Sequence, residues 1–379
     1  MKAKLNDVCE LIVDCPHSTE PDEGKGYPII RTPNIGQGYL DLEGVQRVSR
    51  EAYDRRNARA VPLPGDLIMA REAPAGNVGI ILEGMEVCLG QRTVLIRPNT
   101  DIADPYYLNY YLNAPEQRHG LLRNSNGATV SHVNMPIIRN LPVELPSLTV
   151  QRHVAGVLSV YDELIENNRR QIKLLEEAAQ RLYREWFIDL KFPGHEAMPI
   201  IDGLPEGWKR GKLGDIAAFK RGKTITQKET IEGGVPVVAG GLGPAYYHNA
   251  SNTGSPVVTV SGSGANAGFC RLYTTKIWAS DCSFADANMT DNLLFAYLSI
   301  KVLSNGFRQC QRGSAQPHVY PKHVNNLDLL IPGGETLGSF QQVVAPAFTQ
   351  IRVLDRQIAA AREARDRLLP KLMTDETKE

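Results

Sequence analysis

Several short segments carry residues at spacings close to those of nucleotide-binding motifs. Phe219–Thr224 reads FKRGKT, which resembles the end of a phosphate-binding loop. Such a loop needs a further glycine five positions before the glycine of its GK pair, and Ala217 stands there. Gly262, Gly264 and Gly268 give GxGxxxG, which is not the dinucleotide fingerprint and is typical of a turn. Neither segment predicts nucleotide binding.

The motifs that could indicate catalysis are also incomplete. Asp104–Tyr107 reads DPYY, which lacks the second proline of the (D/N)PP(Y/F) pattern of amino-methyltransferases, and it predicts a helix N-cap followed by Pro105. Glu23-Gly24-Lys25 is too short to specify a Mg²⁺-dependent nuclease. His132 and His318 are related by an internal repeat and are interpreted as structural. We therefore predict no catalytic residue and no metal site.

Composition sets broad limits on the kind of protein. The 379 residues suit two domains, and 42 basic residues balance 42 acidic ones. A neutral chain binds DNA only if its cations cluster on one face or partners supply the phosphate contacts. The six cysteines are scattered, and no apolar run is long enough for a membrane helix, so we expect a cytoplasmic protein.

The chain contains an internal repeat. Residues 127–187 align without a gap on residues 313–373, with fifteen identities at a constant shift of 186. A second match places Lys4, Leu5 and Asp7 on Lys212, Leu213 and Asp215, at a shift of 208. Each half therefore has a similar start, a divergent middle and a similar end. Short apolar runs bounded by Gly or Pro predict mixed strands and loops before each end.

The end of each half carries a heptad seam, in which mostly apolar residues recur at intervals that alternate between three and four positions. The first seam is Leu158, Tyr161, Ile165, Asn168, Ile172, Leu175, Ala179, Leu182 and Trp186, and the second is Val344, Ala347, Ile351, Leu354, Ile358, Ala361, Arg365, Leu368 and Leu372. We predict two long helices that pair antiparallel through Ile165, Asn168, Ile172, Leu175, Leu182, Ile351, Leu354, Ile358 and Leu368.

Two details of these helices are predicted as well. The buried amide of Asn168 would set the register at some cost in stability, and Pro346 would mark the first turn of the second helix. The alternative is that each helix packs on its own domain as an ordinary amphipathic element, because periods of 3.5 and 3.6 separate poorly over this length. The segment Phe192–Trp208, rich in Pro and Gly, is interpreted as a hinge into the second half.

Longer strings resemble a known family, the specificity subunits of type I restriction-modification enzymes, over the whole chain. The strings are AREAPAGNVGII at Ala70–Ile81, VCLGQRTVLIRP at Val87–Pro98, LYREWFID at Leu182–Asp189, VTVSGSGANAGFCRLY at Val258–Tyr273, ASDCSFA at Ala279–Ala285 and GSAQPHVYPKHVNNLDLLIP at Gly313–Pro332.

The resemblance implies an α+β fold with two mixed α/β target-recognition domains, related by pseudo-twofold symmetry and joined by two long antiparallel coiled-coil helices. The expected order is target-recognition domain 1 at 1–150, spacer helix 1 at 151–191, target-recognition domain 2 at 192–336 and spacer helix 2 at 337–379. It also implies a non-catalytic, DNA-binding subunit that reads a bipartite double-stranded target.

The same resemblance implies the partners and cofactors. Two modification (methyltransferase) subunits and restriction subunits would dock on the chain and perform DNA methylation and cleavage. S-adenosylmethionine, ATP and Mg would then belong to those partners, with no cofactor in this chain.

Base reading needs Arg, Lys, Asn or Gln side chains on loops or helices that reach a groove. The candidate DNA-binding residues are Arg71, Asn77, Gln91, Arg92, Asn126, Thr129, Lys220, Arg221, Lys223, Asn266, Arg271, Lys276, Arg312, Ser314 and Gln316. Some of these should contact phosphate and only a few should contact bases.

Two other functions stay open at the level of sequence. The neutral charge is compatible with a coiled-coil scaffold that recruits enzymes without reading DNA. The incomplete methyltransferase and nuclease motifs leave an enzyme that reads its own site as a third hypothesis, which their defects disfavour.

Overall fold

The structure, a computed structural model, describes residues 1–123, 132–303 and 318–375. It divides into two compact units. Unit 1 consists of Met1–Ile165 together with Ala359–Glu379, and unit 2 consists of Glu166–Ile358. Among the helices of the described residues, none has the length and apolarity needed to cross a bilayer.

The described part of unit 1 contains three small sheets. A four-stranded antiparallel sheet has the order β2-β8-β5-β6, a three-stranded sheet has the order β4-β3-β7, and β1 pairs with β9. Strand β3 is antiparallel to β4 and parallel to β7. The strands are β1 Lys2–Lys4, β2 Cys9–Asp14, β3 Tyr27–Ile30, β4 Arg47–Val48, β5 Leu67–Ala70, β6 Val78–Ile80, β7 Cys88–Leu89, β8 Thr93–Pro98 and β9 Pro142–Glu144.

Strand β5 shows why the central sheet of unit 1 is stable. Its four residues are all buried, because both faces of the strand are covered. Leu67 and Met69 face one apolar cluster, whereas Ile68 and Ala70 face another. This alternation follows from the two-residue period of a strand, and burial on both faces explains why the run is continuously apolar.

Helices cover the sheets of unit 1. They are α1 Arg50–Arg56, α2 Pro105–Asn113, α3 Pro115–Arg123, α4 Met135–Arg139 and the first part of the long helix α5 Leu148–Phe187. The predicted N-cap before α2 is confirmed, since the Asp104 carboxylate accepts a hydrogen bond of 2.9 Å from the Tyr107 amide. Pro105 follows at the first helical position, where a missing N–H costs little.

Unit 2 repeats the strand pairing of unit 1. Its four-stranded sheet has the order β13-β19-β16-β17, its three-stranded sheet β15-β14-β18, and β12 pairs with β20. A short hairpin, β10-β11, is additional. The strands are β10 Ile200–Ile201, β11 Leu204–Pro205, β12 Lys209–Lys212, β13 Lys220–Arg221, β14 Val235–Val238, β15 Pro244–His248, β16 Val257–Ser261, β17 Cys270–Tyr273, β18 Trp278–Ala279, β19 Cys282–Asp286 and β20 Asp328–Ile331.

The helices of unit 2 include α6 Leu293–Leu303 and α7 Pro321–Asn325, and the second long helix α8 spans Gly334–Asp375. The core of unit 2 is rich in aromatic rings. Phe187 of α5 meets Phe340 of α8 edge-on, at 4.7 Å between ring centroids, and it meets Phe295 of α6 in the same way at 5.0 Å. These rings join both long helices to the four-stranded sheet of the unit.

Within unit 2 the two helical segments run antiparallel. Trp186, near the end of α5, contacts Phe340, near the start of α8, at 5.5 Å between ring centroids. Asn168 lies earlier on α5 and donates a hydrogen bond of 3.0 Å to Gln357, which lies later on α8. Only 2% of Asn168 is exposed, so its amide is a buried polar group satisfied by one specific position of the facing helix.

Two predictions about local structure were wrong. Pro346 lies well inside α8 rather than in its first turn, because the helix already begins at Gly334, just after Pro332. Pro346 faces solvent, where water can bind the carbonyl that loses its helical hydrogen bond. The segment Phe192–Trp208 is not a free hinge, because both end residues are buried in unit 2 and their rings stack at 4.9 Å.

Candidate nucleic-acid interface

Several polar residues of unit 1 lie together where strands of the four-stranded sheet begin or end, and this row of strand ends is called the edge of the sheet below. Strand β2 ends at Asp14, β5 is followed by Arg71, and β8 begins just after Arg92. Antiparallel pairing places these strand ends together, with Asp14 opposite Val94. The Arg71 guanidinium donates from Nη1 to both Asp14 oxygens, at 2.8 and 2.7 Å, and from Nε to the Val133 carbonyl at 2.9 Å.

Arg71 is buried, so these bonds hold the strand ends and the segment around Val133 together. Removing either member of such a pair would leave a charge without its partner in a largely dry site. The structure therefore gives Arg71 a positioning role, and a contact of its side chain with DNA stays a prediction.

A second ion pair lies beside this one and faces solvent. Arg92 Nη1 is 2.6 Å from Glu72 Oε2, and His132 Nδ1 is 2.9 Å from Glu72 Oε1. The Arg92 side chain is 61% exposed, whereas that of Glu72 is 19% exposed. Arg92 also has a φ of 64°, a left-handed conformation that is unusual outside glycine. At this edge of the sheet the Arg92 guanidinium is thus accessible to solvent and is paired with the less exposed Glu72 carboxylate.

The other two described candidates of unit 1 position loops. Asn77 is buried, donates to the Ile35 carbonyl at 2.9 Å and accepts from Arg118 at 2.9 Å. Gln91 is half-buried and donates to the His17 carbonyl at 2.9 Å. Both amides are occupied by contacts inside the unit.

The equivalent edge of unit 2 is a cleft of about 270 Å³. Its polar lining includes Arg221 at the end of β13, Asp281 just before β19 and Ser263 just after β16. Ser263 donates a hydrogen bond of 2.6 Å to Asp281 Oδ2, and Arg221 Nη2 lies 3.4 Å from Asp281 Oδ1. His318 and Tyr320 line the same cleft, and their rings stack at 5.7 Å with 10° between planes.

The remaining candidates of unit 2 are spread over different strands and loops. Lys220 lies 5.1 Å above the Phe284 ring, and Lys223 is exposed just beyond β13. Arg271 lies on β17, which is the outer strand on the side of the sheet away from β13, and it donates to the Leu242 carbonyl at 3.0 Å. Lys276 is exposed and Asn266 is half-buried.

Five candidates lie outside the described residues. They are Asn126, Thr129, Arg312, Ser314 and Gln316. Their assignment to DNA stays a prediction, as it does for every other candidate.

Sequence reasoning missed several residues of these edges. Asp14, Glu72, Ser263, Asp281 and Tyr320 were not candidates, although they position or flank the arginines that were. The signal that could have found two of them lies in the quoted strings. Glu72 directly follows the candidate Arg71 in one string, and Asp281 lies within another.

The helix-pair positions are buried or half-buried throughout. Ile165, Asn168, Ile351, Leu354 and Ile358 are buried, whereas Ile172, Leu175, Leu182 and Leu368 are half-buried against the apolar clusters. In unit 1, Leu368 and Leu372 of α8 pack on the cluster that contains Val154 and Leu158 of α5.

The described residues contain no group of His, Cys, Asp and Glu side chains arranged to hold a metal ion. Burial raises the pKa of the thiols of Cys9, Cys88, Cys270 and Cys282 to about 12, so they stay protonated at neutral pH. A protonated, buried thiol is a poor nucleophile, and these cysteines serve as small packing residues.

The repeated fold has counterparts among known proteins. The profile of the type I restriction modification DNA specificity domain matches residues 1–177 and again residues 205–361. The chain belongs to this family of type I restriction-modification DNA specificity proteins. Each of the two matches covers most of one sheet assembly and part of one long helix.

Individual relatives agree with the family. The chain is 25% identical to the type I restriction enzyme MjaIX specificity subunit of Methanocaldococcus jannaschii, over 98% of this chain and 92% of that protein. It is 30% identical to the MjaVIII specificity subunit of the same organism, over 42% of this chain and 37% of that protein. The crystal structure of the type I restriction-modification S subunit from M. genitalium superposes with a TM-score of 0.53 at 16% identity, covering 98% and 95% of the two chains.

These comparisons confirm the resemblance seen in the sequence and the predicted fold class. They also confirm the predicted role of the chain as a DNA-sequence specificity subunit. The alternative of a scaffold that does not read DNA is not favoured.

Proposed function

We propose that the chain reads a bipartite DNA target with one half-site for each unit. The observation that carries this proposal is the repeated topology with divergent edges. Both units pair their strands in the same order, yet the residues at the equivalent edges differ, with Asp14 and Arg92 in unit 1 against Arg221 and Asp281 in unit 2. Two similar frameworks with different polar edges suit two different half-sites.

In this proposal the long helices set the separation of the half-sites. Helices of 40 and 42 residues are about 60 Å long at 1.5 Å per residue. Successive major-groove faces of DNA lie about 34 Å apart, which is within the reach of such helices. A stiff helix gives a defined spacing, whereas a flexible tether would give only an average distance.

We further propose that the chain is non-catalytic and acts through partners. Its relatives are named as subunits of restriction enzymes, which supports docking of two modification subunits and of restriction subunits on this chain. S-adenosylmethionine, ATP and Mg would belong to those subunits. The incomplete nucleotide and methyltransferase motifs at Phe219–Thr224 and Asp104–Tyr107 agree with this division, and Asp104 serves as a helix cap.

An insertion experiment tests the spacing role of the helices. One heptad would be inserted between Ile165 and Glu166 and another between Ile358 and Ala359, where the two units divide. Each heptad adds about 10 Å of helix, so the unread spacer should lengthen by up to about three base pairs while both half-sites stay the same. The readout is the methylated motif of cells that carry the variant and its modification subunit.

A matched control inserts the same number of residues into the loop between Glu83 and Glu86, away from the long helices. The control should leave the spacer unchanged. An unchanged spacer in the helix variant would reject the spacing role. For the second part of the proposal, the purified chain alone should neither methylate nor cut target DNA, and turnover of either kind would reject a non-catalytic subunit.

A further inference from the structure

The cleft of unit 2 holds an exposed arginine and a carboxylate side by side. The Arg221 side chain is 59% exposed, and its 3.4 Å contact with Asp281 is long for an ion pair. Asp281 is fixed more firmly, because Ser263 binds its other oxygen at 2.6 Å. The guanidinium therefore lies in the cleft beside a fixed carboxylate, while most of its surface stays open to an incoming group.

A second observation points to a ligand at this cleft. Ser283 lines the cleft, is 1% exposed, and its hydroxyl has no hydrogen-bond partner among the described residues. A buried hydroxyl without a partner is unfavourable, and such groups are rare in folded proteins. A ligand, or water that accompanies it, entering between Arg221 and Tyr320 would offer that partner.

Unit 1 also has an exposed arginine beside a carboxylate at its edge, built from residues at different positions. Arg92 lies just before β8, at the position that Asp281 occupies before β19, and Glu72 lies two residues after β5, as Ser263 does after β16. Arg92 is exposed and held by Glu72, next to His132, which the repeat relates to His318. The arginine and the carboxylate stand on different strands in the two units, but each edge still presents one exposed pair of this kind. A shared ligand chemistry accounts for this better than a requirement of the fold.

The carboxylates decide which part of DNA these arginines fit. A phosphate would be repelled by Asp281 or Glu72 at the back of the site, and phosphate sites are therefore lined by cations and amides. A guanine is neutral overall and offers two acceptors, O6 and N7, to one guanidinium in the major groove. A carboxylate that orients the arginine does not repel such a base.

We propose that Arg221 and Arg92 each read one guanine, Arg221 in the half-site of unit 2 and Arg92 in the half-site of unit 1. Asp281 and Glu72 are positioning residues that orient the two guanidinium groups. This inference rests on the proposed bipartite reading and adds the base and the residue that recognises it.

The test uses the full chain with its modification subunit and the motif that the wild type methylates. Arg221→Ala should relax that motif at one guanine of one half, with discrimination at that position falling roughly 10- to 100-fold. Arg92→Ala should do the same in the other half only. Arg221→Lys should lose part of this discrimination, since a flexible ammonium replaces the planar guanidinium fork that matches the two acceptors. Arg210→Ala, at an exposed arginine of β12, should leave the motif unchanged.

A chemical substitution in the DNA keeps the test independent of protein folding. Replacing each guanine in turn by 7-deazaguanine removes N7, and at one position per half it should weaken wild-type binding about 10-fold. At that position the Arg221→Ala variant should show no additional loss. Wild-type binding that tolerates 7-deazaguanine everywhere, or an Arg221→Ala variant that weakens binding to all sequences equally, would overturn the guanine assignment. A wild type that methylates no bipartite motif would instead reject the proposed function.

Discussion

Asp162 of α5 and Arg365 of α8 form an ion pair inside unit 1, with Arg365 Nη1 2.5 Å from Asp162 Oδ1. The other Asp162 oxygen accepts a hydrogen bond of 2.5 Å from the Tyr110 hydroxyl on α2. Burial, followed by the nearby charge of Asp162, raises the pKa of Tyr110, which therefore stays a donor. One carboxylate thus ties both long helices to α2, the helix that covers the four-stranded sheet of the unit.

Substitution of Arg365 by alanine should lower the free energy of unfolding by about 1–3 kcal/mol, because Asp162 would remain partly buried with one partner fewer. Denaturant unfolding of the full chain measures the loss. Arg367→Ala removes an exposed pair with Glu363 and should cost less than about 0.5 kcal/mol. Equal losses for the two variants would show that the Asp162 contact contributes nothing special.

Asn168 gives a prediction of opposite sign. Replacing this buried amide by leucine should raise the free energy of unfolding by about 1 kcal/mol, because an apolar side chain of similar size avoids desolvation of the amide. The thermal midpoint should rise accordingly. Gln357, its partner, is exposed and can bind water instead. Gln357→Ala is the matched control and should change the midpoint little. A lower midpoint for Asn168→Leu would show that the hydrogen bond outweighs the desolvation.

The pH dependence of stability should differ between two aspartates. Burial raises the pKa of Asp355, whose Oδ2 lies 3.4 Å from the Thr274 hydroxyl. The folded state then holds the proton more tightly than the unfolded state, so the stability from this group is full below pH 3.8 and is lost as pH rises through the folded value. Asp355→Asn should therefore stabilise the protein at pH 7, and the gain should shrink as pH falls towards 4.

Asp22 provides the comparison for that experiment. Hydrogen bonds from the Arg47 and Gly24 amides lower the pKa of Asp22. Its stabilising contribution is present above pH 3.8 and is lost as pH falls through the lowered value. Asp22→Asn should thus reduce the thermal midpoint at pH 7 and have little effect at low pH. Parallel pH profiles for the two variants would contradict both assignments.

Lys223 should contribute to DNA affinity without contributing to sequence choice. Its backbone is fixed, since its carbonyl accepts from the Trp278 indole at 2.8 Å and its amide donates to the Ala279 carbonyl at 2.9 Å. Its ammonium is exposed and forms no ion pair with a carboxylate among the described residues, so it is suited to contact a phosphate. Lys223→Ala should weaken binding to all sequences alike and reduce the salt slope by about one.

Binding titrations from low to moderate salt measure that slope, with target and non-target duplexes of equal length. Lys209→Ala, at an exposed lysine of β12, serves as the control and should leave the slope unchanged. A loss confined to the target duplex would place Lys223 on a base instead of a phosphate.

Sequence reasoning succeeded where periodicity carries the information. The heptad seams predicted two long helices because burial at Ile165, Ile351 and Leu354 recurs with a fixed period along one segment. The DPYY segment predicted a cap because an N-cap is determined by residues that are neighbours in the chain.

It was less successful where contacts join distant parts of the chain. Arg71 was selected as a candidate for DNA contact, which stays a prediction, but its ion pair with Asp14, 57 positions away, was not foreseen. No local pattern indicates that pairing, because it depends on which strands lie side by side in the sheet. The partners Glu72 and Asp281 were missed for a related reason, since acidic residues are poor candidates for DNA contact until their neighbouring arginines are located.

The division of the chain between the two units has a consequence for biosynthesis. Unit 2 is one continuous stretch, whereas unit 1 draws on segments made before and after it. The cluster around Leu158 is covered by Leu368 and Leu372, which leave the ribosome more than 200 residues later. Unit 2 can therefore fold while translation proceeds, and the unit that starts first should finish last, with an apolar surface that needs protection in the interval.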